Sequence, residues 1–433
     1  MVNQLKNQIS FVVLYEKQNI FSFNALIGAI ESESYLNGLN INFVLKKEDL
    51  IKEIKKLLSN NIKVILGLSF FTTQIWDMYE LISLLRKNFS QKVMIIAGGA
   101  HPTGDPLGTL KMGVDIVAIG EGEQTLIELL KKIIDNGNPK LVKGIALLDS
   151  EENIYFTGKR EPIDLNQYPP LPQKFIKFGA IEITRGCPYS CYFCQTSYIF
   201  GTTPRHRSID SICKVIEFMK KYNKNDIRFI TPNAFSYGSI DGKSLNLPKL
   251  EELLVKIKAI LPLKGKIFLG SFPSEVRPEH VTKDTLKLVL KYAANDNLVL
   301  GAQSGSQKIL DACNRGHNTD DVYNAVKIII NSGLKANVDF IFGLPNENEE
   351  DVELTFSFMK KLTDMGARIH AHTFMPLPKT PFAKMPVKLF TPAFKKQINL
   401  LNSKGILFGE WKKQEKLALK ISKYLIENRL DQF

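Results

Sequence analysis

Short apolar runs alternate with amphipathic stretches through the first third of the chain. Residues 9–15, 40–45, 64–70, 93–99 and 114–120 read as strands, and residues 24–35, 48–59, 74–87 and 123–134 as helices. Near-continuous apolar strands separated by helices predict an open parallel sheet covered on both faces. Such sheets take ligands at the carboxyl ends of their strands. Two loops fall there: Gly98-Gly99-Ala-His101-Pro-Thr-Gly-Asp105 and Gly120-Glu121-Gly122-Glu123-Gln-Thr125. Glycines let a ligand approach the backbone closely, and the second loop opens a helix whose first amides suit an anionic or polar group. Glu121 and Glu123 are equally well read as ordinary helix-start carboxylates.

A hairpin-like stretch over 145–149 and 153–157 leads into Tyr168-Pro-Pro-Leu-Pro172, and three prolines in five residues read as a stiff connector. Strand and helix alternation then resumes, with strands expected at 181–184, 227–231, 266–271, 298–303, 336–342 and 369–374. Six strand–helix units make a partial (β/α)6 barrel of the TIM type, with its chemistry at the carboxyl ends of the strands. From about residue 388 the pattern is helical, with a break at Lys404-Gly405. The expected organisation is an amino-terminal domain over 1–145, a linker over 146–175, a barrel over 176–380 and a helical segment over 381–433.

Composition adds limits. With 433 residues and 44% hydrophobic content the chain supports two or three cores. No charged leader precedes an apolar core, and the longest apolar runs fall far short of a membrane span, so a cytoplasmic protein is expected. The net charge of +13 is uneven: ten Lys and Arg face four acidic residues from Pro386 onward. Lys412, Lys413, Lys416, Lys420 and Lys423 fit the solvated side of an amphipathic helix, so nucleic acid is not expected as a partner.

The strongest chemical signal is Thr184-Arg-Gly-Cys187-Pro-Tyr-Ser-Cys191-Tyr-Phe193-Cys194-Gln195, at the exit of the first barrel strand. Cluster iron is normally held by four thiolates; three can hold a four-iron cluster while leaving its fourth iron open. Structural zinc wants four ligands, often as two short pairs. No second cysteine pair exists, and His206 lies twelve residues past Cys194. Cys213 and Cys313 stand alone and read as small buried hydrophobes. Five cysteines, three of them clustered, make no disulfide framework and suit a reducing compartment.

The C-x3-C-x-aromatic-C spacing resembles the signature of the radical SAM enzymes, in which S-adenosylmethionine (SAM) completes the open iron. Three further phrases strengthen the resemblance: Gly301-Ala-Gln303-Ser304-Gly-Ser306, Asp339-Phe-Ile-Phe-Gly343-Leu-Pro345 and His370-Ala-His372-Thr-Phe-Met-Pro-Leu-Pro378. With the two glycine-rich loops ahead of them, they resemble the subfamily that carries a cobalamin-binding domain, in wording close to a group common in methanogenic archaea. The resemblance implies a Rossmann-like doubly wound first domain, and a 4Fe–4S cluster, SAM and cobalamin as cofactors. It implies cluster ligation by Cys187, Cys191 and Cys194, and adenine against the backbone at Phe193 and Gly343. It places Gln303, Ser304 and Ser306 near the ribose or methionyl part, and Gly98, Gly99, His101, Glu121, Gly122 and Glu123 beside the corrinoid. The Asp-x-His-x-x-Gly string of cobalt-ligating domains is absent, and His101 is expected to border the corrinoid without binding cobalt. The family's glycine-glycine-glutamate segment is replaced by Thr231-Pro-Asn-Ala-Phe-Ser236.

The chemistry so implied is reductive cleavage of SAM to a 5′-deoxyadenosyl radical, followed by methyl transfer from the corrinoid to an unactivated carbon. A one-electron reductant such as ferredoxin or flavodoxin is implied, with a protein or peptide among the possible substrates. Tyr198, Arg205, His370 and His372 are the candidate substrate residues on barrel-mouth loops, each also readable as packing or solvation. Alternatives are a ring-rearranging enzyme, a methylthiotransferase acting on transfer RNA and a non-catalytic corrinoid or iron–sulfur protein. The methylthiotransferases carry a second three-cysteine set in their first domain, and residues 1–186 contain no cysteine.

Overall fold

The computed structural model describes residue 6 and residues 8–427, which form two compact units meeting at Gly179 and Ala180. In the first unit, β1 (Ile9–Leu14), α1 (Ile20–Ser32), β2 (Asn40–Val44), α2 (Lys47–Ser59), β3 (Lys63–Ser69), α3 (Ile75–Phe89) and β4 (Val93–Gly98) follow the expected alternation. After them come two short helices, α4 (Ala100–Gly104) and α5 (Pro106–Lys111), then β5 (Ile116–Ala118) and α6 (Glu123–Ile134). The sheet runs β2-β1-β3-β4-β5 with all neighbours parallel. Every residue of β1 is buried, as is every residue of β3 after Lys63, which is why these strands read as unbroken apolar runs. Strand order reverses between β1 and β3, the place where open α/β sheets hold ligands.

Two features depart from the sequence reading. The loop after β4 is helical from Ala100. Gly99 takes φ +97° to turn the chain, and Asp105 then caps the next helix by accepting from the Gly108 amide at 3.1 Å, with Pro106 in its first turn. The stretch 146–175, expected to link two domains, lies within the first unit. Its hairpin, β6 (Ile145–Leu148) and β7 (Ile154–Phe156), adds antiparallel strands to the sheet edge. Its proline segment packs on α1, where a Cβ at Gly28 would come within 2.5 Å of the Pro169 carbonyl oxygen. Prolines stiffen a chain whether it spans open solvent or lies on a surface, so composition alone could not distinguish the two.

The second unit contains β8 (Ile181–Glu182), β9 (Thr184–Arg185), α7 (Thr196–Phe200), β10 (Arg205–His206), α8 (Ile209–Lys221), β11 (Asp226–Ile230), α9 (Leu247–Ile260), β12 (Lys266–Phe268) and α10 (Lys283–Tyr292). It continues with β13 (Asn297–Gln303), α11 (Gln307–Ala312), α12 (Thr319–Asn331), β14 (Lys335–Phe342), α13 (Glu349–Asp364), β15 (Arg368–Thr373), α14 (Pro392–Ser403), β16 (Leu407–Phe408) and α15 (Trp411–Glu427). β8, β11 and β12 form one parallel group, and β13, β14, β15 and β16 another. A parallel bridge between Val276 and Leu300 ties the segment after β12 to β13. The six expected barrel strands are all present. β16 is an addition, a two-residue strand too short for a periodicity to mark.

One face of the barrel strands is sealed by helices: Ala336, Val338, Phe340 and Phe342 of β14 are fully buried, as are Ile212, Ile216, Leu250 and Leu254 of α8 and α9. The alternate face of β14 carries Asn337, Asp339 and Ile341. Among the described residues no helix is long and apolar enough to cross a membrane.

The core of the first unit includes Phe11, Ile27, Leu126, Leu130 and Ile133, which join the sheet to α1 and α6. Leu130→Ala is expected to destabilise this unit by roughly 2–5 kcal/mol, through lost transfer energy and a residual cavity. Chemical denaturation of the full chain checks this: the transition of the first unit moves to lower denaturant.

Candidate functional site

The cysteine loop is held from several directions. Gly186 takes φ +91°, and a Cβ there would lie within 2.3 Å of the Thr203 carbonyl oxygen, so the residue before the first cysteine has to be glycine. The Cys187 amide donates to Gly201 O at 3.1 Å, and its carbonyl accepts from Ser197 Oγ at 2.8 Å. Tyr198 donates to Ser190 O at 2.9 Å, and Asn314 Nδ2 to Tyr189 O at 2.8 Å. The Tyr192 amide donates to Cys313 O at 3.0 Å, and Gln195 Nε2 to Pro378 O at 2.9 Å. The loop is thereby fixed to the segments that follow α11 and β15.

All three cysteines are free, Cys191 buried and Cys187 and Cys194 partly so. Burial pushes the Cys194 thiol up, and the neighbouring Cys191 and Cys187 add to the shift. Cys313 behaves differently. It sits in an apolar cluster with Ile309, Leu344, Phe374 and Phe382, and burial pushes its thiol up to about 12. It stays protonated and is a core residue, as expected from sequence; Cys213 is only half-buried.

Phe193 and Tyr192 pack against that cluster together with Ile341, which brings the cysteine loop beside the end of β14. There Gly343 takes φ +74° and donates its amide to Glu347 Oε2 at 2.8 Å. Glu347 is buried, and burial raises its carboxyl to about 7.

Arg315, which the sequence reading did not single out, connects the loop to the barrel. Its Nη1 donates to Cys191 Sγ at 3.5 Å and its Nη2 to Gly301 O at 2.8 Å. Arg277 donates to the Arg315 carbonyl at 2.6 Å and lays its guanidinium on the Tyr189 ring, 3.4 Å from the centroid. Glu275 faces the same space: a Cβ at Gly301 would lie 2.6 Å from Arg315 Nη2 and 3.5 Å from Glu275 Oε2. Glu275 is open to solvent yet walled by protein, as a group lining a hollow must be. The enclosing protein and then Asp339 push its carboxyl up, while Arg315 pulls it down. Gln303 ends β13 with φ +74° and a buried side chain. His370 and His372 of β15 meet Asp339 of β14, with His370 Nδ1 3.0 Å from Asp339 Oδ1.

Other expected residues have local duties. Ser304 is fully buried with Oγ 3.3 Å from Thr355 Oγ1, and Ser306 caps α11 while donating to Asp351 Oδ1 at 2.7 Å. Gly305 between them lies against α13, where a Cβ would come within 2.7 Å of Thr355 Cα. The serine hydroxyls therefore brace the loop after β13 and do not face the hollow through free oxygens. Arg205 lies on β10 and donates to Phe200 O at 3.3 Å. In the segment standing where the family has glycine-glycine-glutamate, Asn233 accepts from the Arg277 amide at 3.3 Å and contacts His280 Nδ1 at 2.5 Å.

In the first unit the two glycine-rich loops adjoin, since the Gly120 amide donates to Thr103 Oγ1 at 3.0 Å. Gly99 allows the loop to pass Ser69 and Phe70, and Gly122 allows α6 to meet Leu26, where a Cβ would come within 2.8 Å. Glu121 accepts from the Ile163 amide at 3.1 Å, and Glu123 is buried at the start of α6. The His101 ring is fully buried, stacked on Phe70 with centroids 5.6 Å apart and with Nδ1 3.2 Å from Thr72 Oγ1. Burial lowers its pKa to about 4, so the imidazole is neutral. It braces the loop after β3, where Phe71 is left 47% exposed.

Residues 181–359 match the model of the Radical SAM superfamily, and residues 25–130 that of the B12 binding domain. An uncharacterized methyltransferase of Pyrococcus horikoshii is 28% identical over 336 residues, covering 73% of this chain and 68% of that protein. A tRNA-2-methylthio-N(6)-dimethylallyladenosine synthase of Buchnera aphidicola is 29% identical over 328 residues, again covering 73% and 68%. Among solved structures, the radical S-adenosylmethionine methyltransferase TsrM from Kitasatospora setae, with tryptophan and a SAM analogue bound, aligns with a TM-score of 0.67 at 14% identity. That alignment covers 87% of this chain and 75% of that one, a likeness of fold.

Glu347 makes the end of β14 sensitive to pH. Its folded carboxyl is held near 7 against 4.5 when free, so its proton favours the folded state, and that stability is lost as pH rises through about 7. Glu347→Gln is expected to flatten the stability profile between about pH 4.5 and 7 by up to about 3 kcal/mol. Denaturation midpoints of the two proteins across this range check it.

Proposed function

We propose that this chain, which belongs to the cobalamin-binding radical SAM family, is a cobalamin-dependent radical SAM methyltransferase acting on an unactivated carbon. The observation that carries the reading is the cysteine loop: three free thiols on one braced segment, with the other nearby cysteine, Cys313, kept protonated in the core. Cys187, Cys191 and Cys194 would hold a 4Fe–4S cluster by three irons, and SAM would take the fourth. When bound, the cluster supplies the electron that splits SAM, and the corrinoid supplies the methyl group.

The protein's part is to orient and to exclude water. Phe193 and Gly343 lie at one apolar wall of the barrel mouth and suit adenine. Arg315 and Glu275 offer opposite charges to the methionyl carboxylate and ammonium, and Gln303 an amide beside them. Ser304 and Ser306 support this place through the backbone they brace. In the first unit the adjoining loops around Gly98, Gly99, Glu121 and Gly122, with exposed Phe71, suit a broad corrin face. The cobalt takes no ligand from His101.

A one-electron donor such as ferredoxin or flavodoxin is part of this reading. A cytoplasmic setting fits the free thiols, and a protein or peptide acceptor fits the open barrel mouth. The likeness to a methylthiotransferase raises transfer RNA as an alternative substrate. Two cysteine sets serve that chemistry, and this sequence has no cysteine before Cys187, which favours methyl transfer.

Two outcomes are expected. Anaerobically reconstituted protein holds about four irons and releases 5′-deoxyadenosine on reduction, and binds one equivalent of corrinoid that survives desalting; Cys191→Ala loses iron and SAM cleavage but keeps the corrinoid. Retained cleavage in that variant would overturn the assignment. Arg315→Gln weakens SAM binding to the cluster-loaded protein roughly 10–100-fold, the worth of one charged hydrogen bond, as measured by equilibrium dialysis.

A further inference from the structure

The strands of the barrel bring three metal-ligating side chains to one point. Parallel pairing sets Asp339 of β14 beside His370 of β15, and His372, two residues further along, projects from the same face. Asp339 Oδ1 lies 3.0 Å from His370 Nδ1, His370 Nδ1 lies 3.1 Å from His372 Nε2, and His372 Nε2 lies 4.0 Å from Asp339 Oδ1. The point equidistant from these three atoms within their own plane is about 2.0 Å from each, the length of a bond from zinc to imidazole nitrogen or carboxylate oxygen, with His372 Nε2 and Asp339 Oδ1 nearly opposite one another across it.

Hydrogen bonding alone serves this arrangement poorly. His370 Nδ1 carries one proton at most, yet it faces a carboxylate oxygen on one side and an imidazole nitrogen on the other. Either one hydrogen is shared by both contacts or two lone pairs face each other. A divalent cation at the common point satisfies all three atoms at once. The His370 ring is also fixed from outside the group. It stacks on Phe408 of β16 with centroids 4.6 Å apart and planes 8° apart, and a Cβ at Gly409 would come within 3.1 Å of its Cδ2. Asp339 is buried, while the His370 and His372 side chains keep 32% and 30% of their exposure, which leaves a path for further ligands.

We propose that Asp339, His370 and His372 bind one divalent first-row transition-metal ion, of zinc or ferrous type. Two imidazoles and one carboxylate are the donor set of catalytic zinc and of non-haem ferrous sites, both of which keep positions open. An oxygen or nitrogen of the substrate is the chemistry that would occupy them. The ion would hold such a donor atom at the barrel strands without itself being oxidised or reduced. The site shares no ligand with the cysteine loop and stands independently of the proposed methyl transfer.

Zinc is the probe, because iron also fills the cluster. Full-length cluster-loaded protein, stripped with a chelator and dialysed against low-micromolar zinc, is expected to retain one zinc per chain by elemental mass spectrometry. The Cys187→Ala, Cys191→Ala, Cys194→Ala triple variant, which removes thiolate binding, is expected to retain the same amount. His372→Gln and His370→Ala in that background are each expected to weaken zinc binding at least about tenfold, with far-UV circular dichroism unchanged. Zinc X-ray absorption of the triple variant provides a readout that needs no histidine variant: an N/O shell with imidazole scattering is expected. Loss of zinc in the triple variant, indifference to both histidine changes, or absorption without imidazole scattering would each overturn the proposal.

Discussion

A single guanidinium ties the chemistry of this protein to its fold. Arg315 reaches Cys191 Sγ with one nitrogen and the Gly301 carbonyl with another, so the cysteine loop and the end of β13 share one cation. A charge enclosed by protein is tolerable only with an opposite charge beside it. Cys191, Glu275 and Glu279 are the groups placed to supply one. The backbone follows: Arg277 holds the Arg315 carbonyl and stacks on Tyr189 inside the cysteine loop, and Asn314, next to Arg315, holds the Tyr189 carbonyl. Loop and barrel are positioned by the same few residues.

The rest of the barrel mouth is shaped by polar groups placed on strands whose other face is a packed core. Phe340 and Phe342 seal β14 against its helices, which obliges Asp339 and Ile341 to face the other way. The register with β15 then decides that Asp339 meets a histidine. In the first unit the same parallel-sheet logic leaves turns at the carboxyl ends of β3, β4 and β5, and at Gly99 after β4 and Gly122 after β5 the packing calls for glycine, which also suits a ligand.

Strands and helices were legible because both units are built on parallel strands: apolar runs such as 64–70 had to be buried on both faces, and α6 carries one clear apolar stripe. The cysteine triplet stood out because its three residues lie within one loop. Arg315 and Glu275 were not, because they come from separate segments, after α11 and after β12, and nothing in their local sequence separates them from surface charges; Asp339 opens one of the barrel phrases, but its meeting with His370 depends on strand register. The phrase Asn314-Arg-Gly-His317 after α11 was the available signal, and only the fold turns it toward Cys191. Motif phrases do not show which polar residues also serve the backbone. Ser304 and Ser306 brace α11 and α13, and His101 fills the interior between two loops. Proline content marked 168–172 as a connector, while contacts with α1 make it part of the first unit.

The central claim is that three thiolates leave one iron of a bound cluster open for SAM. Electron paramagnetic resonance of the reduced, reconstituted protein tests it most directly, with spectra recorded before and after SAM is added. The account predicts that the g values of the cluster signal change when SAM is added and revert when it is removed. A reduced-cluster spectrum indifferent to saturating SAM would contradict it.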